Sequence, residues 1–201
     1  MTRPSTAFCS CKTVGISRAE AASSKVTERI QEVEIEFANL ANLFVASNQL
    51  HSSLSPRGVT GRIKEVLAQI VGADRYSMYF VNPDGSELVP IASEGVPGTS
   101  RVPVRVAGTP LGDVFRSGSA RVEEDVAPSQ CSLERPAAVI PLSVDDQVVG
   151  VIAIFATLSQ KERFDTVDFE LFKLLGQHAA AALVGASLFA AAGRKLPSLE
   201  A

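Results

Sequence analysis

Apolar residues are most concentrated between Ala137 and Thr157, where two hydrophobic runs flank a pair of acidic residues. The runs Ala137–Val144 and Gln147–Phe155 are rich in Val and Ile, and Asp145-Asp146 separates them as a short polar turn. The second run is apolar at nearly every position, so both of its faces must be covered. The pattern therefore predicts a β-hairpin at the centre of a sheet.

A different period precedes this hairpin, between Ser23 and about Leu50. Its apolar residues recur at alternating spacings of four and three, the a/d pattern of a coiled coil, and charged residues occupy the other positions. We predict a long amphipathic helix within residues 23–54 that dimerises through this stripe; the alternative is a stripe that packs on its own domain. The dimerisation residues are Val26, Ile30, Val33, Phe37, Leu40 and Phe44.

The remaining pattern completes a mixed domain over residues 55–193, between a flexible tail at residues 1–22 and a second tail at residues 194–201. We predict an α/β (α+β) fold with a central antiparallel sheet of about six strands and with the long terminal helices packed on one face. The other predicted elements are a helix at Val59–Val71, strands at Arg75–Asn82, Glu87–Ser93 and Arg101–Val106, a helix at Leu111–Arg116, a strand at Ala120–Val122 and a helix from Asp165 or Thr166 to Ala192.

Composition and charge exclude several classes of function. A net charge of −3 does not provide the basic surface that nucleic acids require. Three cysteines make no disulfide framework, which favours a reducing cytoplasm. The N-terminus lacks the apolar segment of a signal peptide, and the apolar run at 179–193 is shorter than a bilayer span. We expect a cytoplasmic protein without membrane insertion.

No catalytic, metal-binding or cofactor-binding pattern is present in the sequence. His51 and His178 both fall on predicted helices, and Glu123-Glu124-Asp125 is typical of a solvated acidic turn. Cys131 is a single loop cysteine, whereas a zinc site normally needs four spaced ligands. We therefore predict no cofactor, no metal and no enzymatic activity.

Four segments in the right order resemble the GAF domain, a ligand-sensing relative of the PAS fold. They span roughly residues 38–190: a first strand at 73–80 with its turn at 82–85, a small helix at 111–115, the hairpin at 140–152 and a closing helix from Phe164 to Ala182. The resemblance implies a small-molecule pocket between the sheet and the mid-domain loops, and dimerisation through the first and last helices.

The known ligands of this family fit poorly. Cyclic-nucleotide-binding members share an Asn-Lys…Phe…Asp-Glu signature; Phe164 and Asp168 match it, but Phe169 stands in place of Glu and Ala156-Thr157 in place of Asn-Lys. A bilin needs a cysteine beside a histidine, and Cys131 is followed by Ser132. The family's free methionine-sulfoxide reductases need a nucleophilic and a resolving cysteine in the pocket loops, where this chain offers Cys131 alone.

Strand alternation predicts the pocket residues. Side chains of the first strand point alternately to the two faces, and the helical layer must cover one of them. We predict that the ligand contacts Ser77, Tyr79, Phe115, Val139 and Pro141, and that Arg101 or Arg105 pairs with an anionic group. The alternative for all of these residues is ordinary core packing.

Together these patterns predict a stand-alone GAF-domain protein that acts as a small-ligand sensor or signalling adaptor. Its expected partners are a second copy of itself, a small-molecule ligand and an output protein. A ligand-free module for protein–protein contacts is the second interpretation, and a reductase-like enzyme is the third.

Overall fold

A computed structural model describes residues 10–97 and 102–193 of the chain. Its contacts divide the chain after Ala41, which lies within the first helix, α1 (Ser10–Leu50). Residues 10–22 of the predicted N-terminal tail belong to this helix. The predicted tail at 194–201 lies outside the described residues.

The other elements follow the predicted order, with bounds that differ by a few residues. They are α2 (Pro56–Val66), β1 (Ala73–Val81), β2 (Glu87–Glu94), β3 (Val104–Arg105), α3 (Pro110–Ser117), β4 (Arg121–Val122), β5 (Ala138–Val144), β6 (Gln147–Thr157), α4 (Thr166–Leu174) and α5 (Ala180–Ala191). One π-helical turn, at Leu67–Val71, follows α2, and a second, at Leu175–Ala179, joins α4 to α5.

The six strands form one antiparallel sheet in the order β3-β2-β1-β6-β5-β4, which confirms the predicted fold class. The hairpin of β5 and β6 lies inside the sheet, and β6 is buried from Gly150 to Thr157. Asp145 and Asp146 both have positive φ, 48° and 64°. A two-residue hairpin turn with this twist requires positive φ at both positions, and Asp tolerates it better than most residues.

Strand alternation separates two cores, one on each face of the sheet. The helical-side core contains Tyr76 and Met78 of β1 together with buried residues of α2, α4, α5 and the last turns of α1. The opposite core, here called the α3-side core, contains Tyr79 of β1 together with α3 and its flanking loops. The α3-side core consists of Tyr79, Leu88, Val96, Val106, Leu111, Val114, Val139, Val151, Ala153 and Phe155.

The C-terminal helical segment packs through one face only. By length and composition Thr166–Ala191 is able to span a membrane, but Phe172, Leu175 and Leu183 are buried in the helical-side core. Phe169 of the same segment is 46% exposed. Phe169 lies in α4, before the π-turn, and its ring contacts that of Phe172 with centroids 6.2 Å apart.

Helix α4 begins with a reciprocal cap that is connected to a buried ion pair. The Asp165 carboxylate accepts from the Asp168 backbone N–H at 3.1 Å, and the Asp168 carboxylate accepts from the Asp165 N–H at 2.9 Å. Lys161 Nζ donates to Asp168 Oδ1 at 2.7 Å, with side chains 20% and 5% exposed. Burial raises the pKa of Asp168, and the hydrogen bond from Lys161 opposes that shift.

Replacing Lys161 with Met should leave this buried carboxylate without its cation and destabilise the fold by about 2–4 kcal/mol at pH 7. A raised pKa in the folded state means that the stability contributed by Asp168 is present at low pH and is lost as the pH rises through that pKa. The loss in Lys161→Met should therefore be larger at pH 7 than at pH 4. Urea unfolding at the two pH values measures both effects.

The matched control is Lys173→Met, which removes an exposed lysine from α4, the helix that carries Asp168. It should change the free energy of unfolding by less than about 0.5 kcal/mol. Equal effects of the two substitutions at pH 7 would contradict the assignment of Lys161 as the partner that stabilises Asp168.

Candidate ligand-binding site

A cavity of about 410 Å³ lies on the α3 side of the sheet. Tyr79 of β1 and Phe155 of β6 contribute from the sheet, and the first turn of α3 and the loop before β5 contribute from above. Most of its lining is apolar, and a tyrosine, a threonine and a glutamate are the polar members. The lining residues are Tyr79, Val102, Val104, Thr109, Pro110, Leu111, Leu133, Glu134 and Phe155.

Hydrogen bonds hold α3 in place over this cavity. Thr109 caps the helix, since its Oγ1 accepts from the Gly112 N–H at 3.1 Å and donates to the Arg105 carbonyl at 2.7 Å. Arg116 donates from Nη1 to the Val106 carbonyl at 3.0 Å. Gly112 packs directly against the Val106 backbone. The helix and the preceding loop therefore form one continuous wall.

Tyr79 is the polar group that the sheet supplies to the cavity. The side chain is 3% exposed, and burial raises the pKa of its phenol while a hydrogen bond to Ser77 lowers it. The raised pKa keeps the phenol protonated at neutral pH, so it is available as a hydrogen-bond donor. It can therefore donate to a ligand that occupies the cavity.

Ser77 is buried on the same strand, but it does not line the cavity. Its hydroxyl donates to the Ala92 carbonyl at 3.2 Å and lies 2.6 Å from the Ser93 hydroxyl of β2. Phe115 packs against the α3-side core without lining the cavity. The structure thus brings Ser77 and Phe115 near Tyr79 as supporting residues.

Pro141, a predicted ligand contact, does not line this cavity. It borders a separate cavity of about 200 Å³ with Phe172 and Gly176. β4 pairs with β5 only at Ala138 and Val139, so the strand edge at Pro141 stays open and the helical segment packs against it. The alternation of side chains along a strand does not predict the contacts of a residue at such an unpaired edge.

Of the two arginines predicted to pair with an anionic group, Arg101 lies outside the described residues. Arg105 is exposed on β3, and the residues that line the cavity do not include it.

A second, polar cavity of about 230 Å³ adjoins the first, since Pro110 and Glu134 border both. Val139, a predicted ligand contact, lines this polar cavity. Its charged members include Arg121, Glu123, Asp125 and Arg135. No periodic pattern predicts this grouping, because the residues of β4 and of the loop before β5 meet only after folding.

Glu123 is part of an ion-pair cluster rather than a solvated turn. Arg135 donates to its carboxylate through Nε at 2.6 Å and Nη2 at 2.7 Å, and this hydrogen bonding lowers the pKa of Glu123. Glu124 and Asp125 are exposed, as the acidic-turn interpretation requires. The pair fixes the loop that carries Leu133 and Glu134 beside the cavity.

Cys131 is buried and 3.8 Å from the Ala127 carbonyl, to which its thiol donates. Burial raises the pKa of the thiol, and the nearby Glu123 raises it further. A thiol with a raised pKa stays protonated at neutral pH and is a poor nucleophile. This environment is that of a structural cysteine.

The predicted dimerisation stripe of α1 is exposed along its length. Val26, Ile30, Val33, Phe37, Leu40 and Phe44 are each between 53 and 72% exposed. Ile35, outside the stripe, is also 61% exposed. In contrast, Ala46 and Leu50, in the last turns of the helix, are fully buried in the helical-side core.

Solved structures with a similar fold include GAF domains of other proteins. The GAF domain of an Acinetobacter phosphoenolpyruvate-protein phosphotransferase is 16% identical with a TM-score of 0.59, covering 79% of this chain and 98% of that one. The second GAF domain of DevS from Mycobacterium smegmatis is 24% identical with a TM-score of 0.51, covering 70% and 99%.

A free methionine-R-sulfoxide reductase from Neisseria meningitidis, solved with its substrate, shares the fold at 17% identity and a TM-score of 0.54, covering 73% of this chain and 88% of that one. No curated protein matches the sequence. The family model of the GAF domain matches residues 60–184, more than half of the chain and the whole region that builds the sheet and the cavity. This chain therefore belongs to the GAF domain family, whose members are typically ligand-sensing or signalling modules.

Proposed function

We propose that the protein is a cytoplasmic sensor that binds a small molecule in the Tyr79 cavity, dimerises through α1 and reports to a separate output protein. The observation that carries this proposal is the cavity itself. Its volume of about 410 Å³ falls within the range of small-molecule sites, which are mostly apolar with a few polar groups. The proposal assigns no catalytic step to the site.

The lining indicates the class of ligand. Leu111, Leu133 and Phe155 favour a compact apolar or aromatic body. The Tyr79 phenol and Thr109 offer hydrogen bonds, and Glu134 places a carboxylate at the border shared with the polar cavity. A small aromatic molecule with one or two polar substituents matches this distribution.

The exposed stripe of α1 supports the dimer in the proposal. Six large apolar side chains at heptad spacing, each more than half exposed, form a surface that a second copy of the helix buries in a coiled coil. The same observation favours the second interpretation, a module that works through protein contacts alone. Ligand binding distinguishes the two.

The reductase interpretation has less support. That chemistry needs a thiolate nucleophile, and the Cys131 thiol is buried with a raised pKa. The likeness to the Neisseria reductase is a likeness of fold. We therefore propose a binding function for the cavity.

Native mass spectrometry of the purified protein tests the proposal, because a bound ligand adds mass that is lost on unfolding. Replacing Leu133 with Trp should fill the cavity from its loop side and lower ligand occupancy or affinity by roughly tenfold, the effect of about 1.4 kcal/mol. A thermal-shift screen with small aromatic compounds supplies the ligand if none is retained during purification.

The matched control is Leu158→Trp, the same substitution at a side chain that is 50% exposed and outside the cavity. It should leave ligand binding unchanged. Equal binding by both variants would place the ligand elsewhere. Failure to find any bound or stabilising compound would favour the ligand-free interaction module.

A further inference from the structure

The two histidines of the chain, 127 residues apart in sequence, meet in the folded domain. His51 Nε2 lies 3.1 Å from His178 Nδ1, and the rings contact edge to face with centroids 5.4 Å apart. His51 is exposed and His178 is half-buried. The two imidazole nitrogens therefore face each other at the protein surface.

Well-packed neighbours hold each histidine in place. His51 directly follows α1, whose last residue, Leu50, is fully buried. His178 lies within the second π-turn, where Leu175 and Ala179 are fully buried. Isolated π-turns often occur at functional sites, because they turn a side chain away from the face that a regular helix would present. The backbone positions of the pair are thus set by the core.

We propose that His51 and His178 bind a divalent transition-metal ion of the zinc class. Imidazole nitrogens suit Zn²⁺, Ni²⁺ and Cu²⁺, whereas Mg²⁺ and Ca²⁺ take oxygen ligands. At a Zn–N distance of about 2.0–2.1 Å, two nitrogens on one tetrahedral ion are about 3.3 Å apart. The observed 3.1 Å is close to this separation.

Two local changes convert the hydrogen-bonded pair into a chelate. In the hydrogen bond one facing nitrogen carries the proton and the other accepts it. In the chelate both facing nitrogens offer lone pairs, so the donating ring carries its proton on its outer nitrogen instead. Both rings must also pivot toward the ion, which their surface position permits. Two neutral imidazoles bind the ion without releasing a proton.

Water completes the coordination shell in this proposal. Within residues 10–97 and 102–193, no three His, Cys, Asp or Glu side chains are grouped closely enough to hold a metal ion. A site with two protein ligands binds reversibly and is open to solvent. Bound metal would clamp the end of α1 to the C-terminal helical segment, the two elements that the family resemblance assigns to dimerisation.

Isothermal titration calorimetry of the untagged protein with ZnCl₂ tests this site. Cys9 and Cys11 are replaced with Ser in the reference chain, so that the N-terminal thiols do not bind the ion. The reference should bind one Zn²⁺ per chain, and His51→Ala and His178→Ala should each weaken binding at least tenfold. The double variant should lose less affinity than the product of the two single losses, because both rings hold the same ion.

Gln177→Ala, an exposed change next to His178, is the matched control and should leave Zn²⁺ affinity unchanged. Circular dichroism establishes that each variant is folded. In the ¹⁵N spectrum of the imidazoles, Zn²⁺ should shift His51 Nε2 and His178 Nδ1, and Mg²⁺ should shift neither. Affinity that is unchanged in both single variants, or binding weaker than about 1 mM in the reference chain, would overturn the proposal. These results do not depend on the Tyr79 cavity.

Discussion

Replacing both Ile30 and Phe37 with Lys should convert the protein from a dimer to a monomer in sedimentation velocity. Both residues occupy the predicted seam of α1 and are 53% and 72% exposed in the single chain. Burying an Ile or Phe side chain contributes roughly 1.5–3 kcal/mol, and a dimer buries this pair twice. Lysines at facing seam positions also place like charges together. The free energy lost should exceed the free energy of association of a coiled coil of this length.

The chain offers a closely matched control in Gln31→Lys with Ala38→Lys. These positions follow Ile30 and Phe37 by one residue, are exposed and add the same two charges outside the seam. The control should remain dimeric, and the domain in both variants should unfold at the temperature of the native protein. A monomeric native protein, or dissociation in both variants, would refute the assignment of the seam.

Replacing Gly112 with Ala should destabilise the domain by about 4 kcal/mol or more, because no room exists for a side chain there. A Cβ atom at this position would lie 1.7 Å from the Val106 carbonyl oxygen and 2.5 Å from its carbon. The obstacle is backbone, which Arg116 and the Thr109 cap hold in place. This clash can be relieved only if α3 moves away from the loop before it.

That movement would also change the candidate site, since Thr109, Pro110 and Leu111 all line the cavity. The melting temperature should fall by roughly 10 °C, at about 2–4 °C per kcal/mol for a domain of this size. Calorimetry or urea unfolding measures the change, and ligand binding by the folded fraction reports the state of the cavity.

Gly185→Ala provides the comparison within the same chain. A Cβ atom at Gly185, in the interior of α5, would have no neighbour within 4 Å. Ala is favoured over Gly in a helix by about 0.8–1.0 kcal/mol, so this variant should be slightly more stable than the native protein. A change of less than 1 kcal/mol in Gly112→Ala would mean that α3 is not packed as described.

Part of the candidate site follows from alternation along single strands. Tyr79 faces away from the helical layer because Tyr76 and Met78 face it, and this assignment needs only the period of two. Pro141 obeys the same period in sequence, yet it lies at an open strand edge beside Gly176. The difference arises because the short β4 leaves the outer edge of β5 unpaired beyond Val139, and the length of a neighbouring strand is not encoded within β5.

Local interactions are what the sequence by itself determined. The heptad spacing of α1, the Asp145-Asp146 turn and the Asp165 cap each depend on residues only a few positions apart. They can therefore be predicted from the sequence without the tertiary structure. The resemblance to the GAF domain added the order in which these pieces assemble.

Contacts between distant segments were decided only by the tertiary structure. The His51–His178 pair, the bond from Arg135 to Glu123 and the cavity between Tyr79 and Leu133 each join residues from separate elements. Their geometry depends on how helices and loops pack on the sheet, and a π-turn or an unpaired edge is enough to change it. Periodicity describes one element at a time, whereas a binding site is built where several elements meet.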